Sequence, residues 1–225
     1  MPRAGQVLVG VRATGVDPGV WHFATVLPYI VRPATGLRRP RNRVPDRLEP
    51  KPANLTFEAA AAVPTSATAA LQALRRGEVA AGQRLLITGA GGGIGTFAVQ
   101  LAKGLGAHVT GVCGTDKVDL VRSLGADDVV DYTRADVTER YDVVLDIGGS
   151  RTLTQLRRML TPKGTLVIAG GEGGGKWVAT FHRSLRAPLV SPFVGQRLRQ
   201  VTSLYQPEDM QRLAELLAAG ELVRW

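Results

Sequence analysis

Residues 85–95 read Leu85-Leu86-Ile87-Thr88-Gly89-Ala90-Gly91-Gly92-Gly93-Ile94-Gly95, and this stretch decides the fold. An apolar strand enters a turn that holds four glycines in the five positions 89–93. A helix leaves the turn with apolar residues at helical spacing, namely Ile94, Phe97, Ala98, Leu101 and Leu105. Without Cβ atoms, such a turn lets backbone N–H groups approach a pyrophosphate. The partial positive charge of the helix N-terminus favours the same anion. Flanked by strand and helix, and followed by a second strand at 107–112, the turn reads as a nucleotide site rather than a tight turn alone.

Working outward, strands are expected at 84–88, 107–112, 128–132, 141–147 and 164–169, with helices at 94–105, 117–124 and 152–160 between them. Runs such as Val143-Val144-Leu145 and Leu166-Val167-Ile168 suit a parallel sheet buried on both faces. A sixth strand at 198–204 precedes a helix at 207–219, whose Met210, Leu213, Leu216 and Leu217 make one apolar stripe. The class is α/β, a doubly wound parallel (Rossmann) sheet with ligands expected at the carboxyl ends of its strands. The first 83 residues differ. A strand at 6–13 and a helix at 65–76 enclose a Pro- and Arg-rich stretch of little periodicity, too little for an independent core. The alanine-rich run 59–74 reads as broken at Pro64.

Composition narrows the function classes. Hydrophobic residues make up 44% of the 225, which permits an ordinary core. No segment reads as membrane-spanning and no signal peptide opens the chain. The single Cys113 cannot form an internal disulfide, which suits a reducing cytoplasm. The formal net charge is +9, yet only Arg38-Arg39-Pro40-Arg41-Asn42-Arg43 forms a basic cluster. It lacks interleaved aromatics and lies in a proline-rich segment, so it reads as a solvated stretch ahead of a nucleic-acid patch.

Three fingerprints overlap the glycines. The run 88–95 fits the TGxxxGIG pattern of short-chain dehydrogenases. Those enzymes pair a tyrosine with a lysine four residues on. Here Pro33, Asp136, Leu145 and Asp209 follow Tyr29, Tyr132, Tyr141 and Tyr205 at that spacing, so the pair is absent. The run 170–176 (GGEGGGK) fits GxxxxGK, but Trp177 stands where a hydroxyl would hold Mg²⁺. A loop over a cofactor is the better reading of that segment.

The third fingerprint fits the whole chain. Residues 89–95 resemble the GAxGGVG turn of medium-chain dehydrogenases, in their zinc-free quinone-oxidoreductase-like branch. The resemblance extends through VLVGVRATGVDPGVWH at 7–22, EAAAAVPTSATAALQAL at 58–74, LVRSLGADDVVDY at 120–132, DVVLDIGG at 142–149 and SPFVGQRL at 191–198. It implies an incomplete GroES-like substrate domain over 1–53, a Rossmann domain over 54–222, and the start of a return to the substrate domain at 223–225. It also implies hydride transfer between a nicotinamide cofactor and a quinone or α,β-unsaturated carbonyl. Zinc is not expected: one cysteine and the isolated His22, His108 and His182 give no tetrahedral set, and Asp17 and Pro64 stand where zinc-dependent relatives carry cysteines. No catalytic residue or proton donor is assigned.

Cofactor contacts are expected from Gly89, Gly91, Gly92, Gly93, Ile94 and Gly95 in the turn, and from Ser66 and Thr68 near the nicotinamide. Gly148, Gly149, Gly170 and Gly171 at strand ends and Ser191 and Phe193 at the carboxamide complete that part. No acid ends the second strand to hold a ribose 2′-OH, while Thr115, Lys117 and Tyr132 match positions that grip a 2′-phosphate in NADPH-dependent relatives. NADP(H) is therefore favoured over NAD(H), although Asp116 would repel phosphate if it faced inward. The shortened substrate domain gives a second reading, an NADP(H)-binding remnant without turnover. A nucleic-acid-binding protein using residues 38–43 ranks last. The edge at 198–204 suggests a homodimer.

Overall fold

Strands that are apolar on both faces have to be covered twice, and this requirement sets the architecture. The computed structural model describes residues 11–15, 50–169 and 195–222. Within them, β1 (Arg84–Thr88), β2 (His108–Cys113), β3 (Asp128–Asp131), β4 (Tyr141–Asp146), β5 (Leu160–Ile168) and β6 (Arg197–Gln200) form one sheet. The strand order is β3-β2-β1-β4-β5-β6, and every pairing is parallel. The chain builds outward from β1 to β3, then crosses back to the other side of β1. The resulting switch point lies between β1 and β4, where open α/β sheets place ligands at the carboxyl ends of the strands.

Period-2 alternation sorts the core. Leu85, Ile87, Val109, Val143, Leu145 and Val167 face one layer. That layer contains α1 (Phe57–Gly77), α2 (Gly93–Gly104) and α5 (Pro207–Ala218). Leu86, Val112, Val144, Leu166 and Ile168 face the other side with Leu156 of α4 (Leu153–Arg158). Between β2 and β3, a 3-10 turn at Thr115–Lys117 leads into α3 (Val118–Ser123). Asp209 in the first turn of α5 is fully buried. It accepts hydrogen bonds from Arg75 Nη1 at 2.6 Å and Gln72 Nε2 at 2.7 Å, which fixes α5 on α1.

The structure departs from the sequence reading in definite places. α1 begins at Phe57, well before the expected 65, and runs through Pro64. Thr56 caps it by accepting from the Ala59 N–H at 3.2 Å. Pro64 removes one backbone donor, but buried Ala59, Val63, Ala67, Ala70 and Leu74 recur at helical spacing and carry the helix across it. β5 begins at Leu160 rather than 164, because a register shift against β4 between Tyr141 and Val143 absorbs the extra residues.

β6 ends at Gln200 rather than 204, and Gln72 supplies the reason. Its side chain accepts from the Leu204 N–H at 3.1 Å and donates to the Leu204 carbonyl at 2.7 Å, taking that backbone away from strand pairing. The helix expected to reach 160 stops at Arg158, since Leu160 already belongs to β5. Of the strand expected at 6–13, Val11, Arg12 and Ala13 are described and lie outside any strand. The remainder of that expected strand and the basic cluster at 38–43 lie outside the described residues.

Candidate cofactor site

The glycine turn is built by close backbone approach. Gly89 has φ +73°, and a Cβ there would meet the Gly148 nitrogen at 2.9 Å. Its carbonyl accepts from the Gly92 N–H at 3.0 Å, while the Ala90 N–H donates to the Val112 carbonyl at 3.0 Å. Gly95 sits hard against the turn, where a Cβ would lie 2.2 Å from the Gly89 oxygen. These contacts fix the N-terminus of α2 over the ends of β1 and β2. Its N-cap, Gly92, has no capping side chain and its first turn has no acid. The N–H groups of the first turn have no carbonyl to reach within the helix, so they stand ready for an anion.

Those amides open onto a cleft of about 450 Å³ lined by Gly91, Gly92, Gly93, Thr96 and Phe97 on the turn and α2. Glu58, Ala61, Ala62, Thr65 and Ser66 of α1 form its second wall, Thr14 and Gly15 close one side, and Lys117 and Leu120 the other. The stem of Lys117 passes so near Gly91 that a Cβ there would lie 2.7 Å from Lys117 Cβ. A Cβ on Gly93 would lie 3.0 Å from Ser66 Oγ. Gly15 lies against α1, its Cβ position 2.6 Å from the Ala61 oxygen. Donor-rich backbone, a cation on one wall and hydroxyls on the other fit an extended phosphate-bearing ligand.

Of the residues singled out from sequence, Ser66, Gly91, Gly92, Gly93 and Lys117 meet in this cleft. Gly89 and Gly95 shape the turn, and Ile94 is half-buried against the core. Gly148 and Gly149 lie beyond β4, Gly148 against Gly89 and Gly149 at φ +71°. Thr68 is buried away from the cleft, with its hydroxyl 3.6 Å from Met210 Sδ on α5. Gly170, Gly171, Ser191 and Phe193 lie outside the described residues, as does the 170–176 glycine run. Thr14, Gly15, Glu58 and Thr65 were missed. Glu58, Ala61, Ala62 and Thr65 share one face of α1 by helical spacing, which the early start of that helix makes visible.

Beside the cleft, the ends of β2 and β3 form a hydroxyl–carboxylate cluster. Thr115 Oγ1 donates to Asp131 Oδ2 at 2.6 Å, and the Thr133 hydroxyl and N–H donate to Asp131 Oδ1 at 2.7 and 2.9 Å. These donations, with Arg134 nearby, hold the Asp131 carboxyl below the usual carboxylate range. Asp116 is exposed, and its Oδ2 lies 3.9 Å from Lys117 Nζ, so the cation on the cleft wall has a carboxylate beside it. Tyr132 is exposed, its hydroxyl 3.5 Å from the Cβ position of Gly114. Burial, then the charges of Asp131 and Asp116, push the Cys113 thiol up, so it is held as a thiol.

A second feature missed from sequence supports the turn from below. Asp146 ends β4 and is fully buried, and Thr88 Oγ1 donates to its Oδ1 at 2.8 Å. The same Thr88 oxygen accepts from the Ile147 and Gly148 N–H groups at 3.2 and 3.3 Å. One hydroxyl thus joins β1 to β4 at the switch point. An acid ending the otherwise apolar run Val143-Val144-Leu145-Asp146, two residues before Gly148-Gly149, was the available signal.

Comparison with known proteins gives the class. The family model described as zinc-binding dehydrogenase matches residues 93–219. The mouse (Mus musculus) mitochondrial NAD(P)H oxidoreductase RTN4IP1 is 46% identical over 112 residues, 44% of this chain and 28% of its own length. The chloroplastic NADPH-dependent alkenal/one oxidoreductase of Arabidopsis thaliana is 40% identical over 104 residues, 44% of this chain and 27% of its own. Among solved structures, the quinone oxidoreductase from Coxiella burnetii superposes with a TM-score of 0.69 at 28% identity. That superposition covers 80% of this chain and 55% of the other. The chain belongs to the zinc-binding dehydrogenase family, within the quinone-oxidoreductase-like branch of the medium-chain dehydrogenases and reductases.

Among the described residues, the donors present do not fit the metal in the family's name. The sequence holds one cysteine and three histidines. Among the described residues, no group of three or more histidine, cysteine or carboxylate side chains is placed to hold a metal ion. His108 bonds Asp128 Oδ2 at 2.8 Å at the far end of β2, and Cys113 is buried. His22 and His182 lie outside the described residues.

Proposed function

We propose that this chain carries the cofactor-binding part of a zinc-independent, NADPH-dependent oxidoreductase acting on a quinone or an α,β-unsaturated carbonyl. The observation that carries the reading is the cleft where the uncapped N-terminus of α2, Lys117 and Ser66 converge. In this reading the dinucleotide supplies hydride to the substrate when bound. The chain's own residues bind and orient: the first-turn amides of α2 hold the pyrophosphate, and Lys117 meets the 2′-phosphate. Residues 54–222 act as the dinucleotide domain, with 1–53 and 223–225 belonging to the substrate side. The mouse and Arabidopsis relatives, an NAD(P)H and an NADPH-dependent oxidoreductase, support the chemistry. The cytoplasm is the compartment we favour, since Cys113 is buried as a free thiol. No described helix is long and apolar enough to cross a membrane.

Lys117 provides a direct test of the preference for NADPH. Lys117→Ala is expected to weaken NADPH binding about tenfold, or about 1.4 kcal/mol, and NADH binding less than about twofold. Fluorescence titration reads both, and equal losses for the two cofactors would reject the 2′-phosphate role. Turnover is tested by NADPH oxidation in the presence of quinones and enals. Consumption supports the reductase, whereas saturable binding without consumption across both classes selects the cofactor-binding remnant.

β6 is the last strand in the described sheet order, and we propose that this side of the sheet meets a second copy. Arg199 is turned back onto Glu78 and the Arg76 carbonyl, and Arg197 onto Glu78, so neither charge is held out along the edge. Light scattering is expected to give twice the chain mass, and a monomeric mass would remove the idea.

A further inference from the structure

A second cavity, of about 250 Å³, lies at the opposite end of the sheet, lined by Arg140, Thr154, Arg157, Arg158, Leu160 and Gln196. Arg140 directly precedes β4, Leu160 begins β5 and Gln196 directly precedes β6. The site is therefore formed where strands start, whereas the glycine turn lies where they end. The two cavities share no residue.

Three arginines line this cavity, and no acid is among its lining residues. Of the thirteen described arginines, eight (Arg75, Arg84, Arg122, Arg134, Arg151, Arg197, Arg199 and Arg212) lie within 3.9 Å of a described carboxylate. Three of the remaining five line this one cavity. Glu139, next to Arg140 in the chain, pairs with Arg84 instead. Arg157 Nε donates to Gln196 Oε1 at 3.0 Å, and Gln196 Nε2 donates to the Arg157 carbonyl at 2.9 Å. That reciprocal pair fixes one guanidinium while leaving its charge uncompensated. An anion joining the three arginines would offset the repulsion of like charges in a chain of net charge +9.

We propose that this cavity binds a phosphoryl group. Guanidinium forks match phosphate oxygens bidentately, and the Thr154 hydroxyl adds a neutral donor. The volume falls below the roughly 300–1,000 Å³ typical of small-molecule pockets, which suits a phosphoryl group and excludes a second dinucleotide. Leu160 gives an apolar floor. The proposal rests on this cavity alone and not on the cofactor reading.

Amide NMR of the full chain, titrated with inorganic phosphate at constant ionic strength, tests it. Saturable shifts at Thr154, Arg157 and Gln196 are expected at millimolar phosphate. They should weaken at least tenfold in Arg140→Gln/Arg158→Gln, whose exposed side chains have no ion pair among the described residues. Arg140→Lys/Arg158→Lys keeps the charge without the fork and is expected to bind with intermediate affinity. Methyl phosphate binding equal to inorganic phosphate assigns the site to esters, and binding of inorganic phosphate alone assigns it to the free ion. Shifts confined to 91–93, no saturable shift, or undiminished shifts in the glutamine variant would overturn the proposal. The glycine-turn signals serve as an internal reference for the cofactor site.

Discussion

Replacing Gly95 with alanine is expected to lower NADPH affinity at least about a hundredfold, or about 2.7 kcal/mol, and to destabilise the fold by about 3 kcal/mol. The added Cβ would stand 2.2 Å from the Gly89 oxygen and 2.7 Å from the Ala90 Cα and carbonyl carbon. All three obstacles are backbone, so no side chain can swing aside. Relief requires α2 to lift from the end of β1, yet Phe97, Ala98, Val99 and Leu101 of α2 are buried. The helix therefore cannot move without opening the core. The first-turn amides move with it, away from the pyrophosphate position. Thermal unfolding should fall by about 6–12 °C for a chain of this size. Unchanged melting and unchanged titration would show that the turn is looser than its geometry.

Thr88→Val has the next largest expected effect. Valine matches threonine in shape but removes the hydroxyl that donates to Asp146 and accepts from the Ile147 and Gly148 N–H groups. Leaving buried polar groups unpaired costs about 1–3 kcal/mol each, so a loss of about 3 kcal/mol is expected. Because Gly148 abuts Gly89, the disturbance should also reach the cofactor, lowering NADPH affinity by about tenfold. Thr88→Ser retains the hydroxyl and should recover most of both losses. Denaturant unfolding of the three proteins measures the first effect. A valine variant as stable as the parent would show that the hydroxyl contributes little.

The parallel sheet was legible because its signals are local. Apolar runs of strand length alternate with helical spacing, and β1 coincides with its expected bounds of 84–88. The glycine turn was legible for the same reason, since a short loop between strand and helix writes its geometry into consecutive residues. Features made by distant residues were not. The early start of α1 depends on burial of Ala59 and Val63, which outweighs Pro64. The short β6 depends on Gln72, more than a hundred residues away in the chain. Thr88 and Asp146 are 58 residues apart, and no local pattern pairs them. Thr14 and Gly15 reach the cleft only through their position against α1, while the arginine cavity draws on three separated stretches.

The central claim is that the turn at 89–95, with Lys117 and Ser66, binds a nicotinamide dinucleotide. Calorimetric titration of the purified full chain with NADPH, repeated with NADH, tests this most directly. One saturable site per chain is expected, with Kd of about 1–100 µM for NADPH, corresponding to about 5–8 kcal/mol, and weaker binding of NADH. No saturable heat with either dinucleotide up to about 1 mM, a bound of about 4 kcal/mol, would contradict the account.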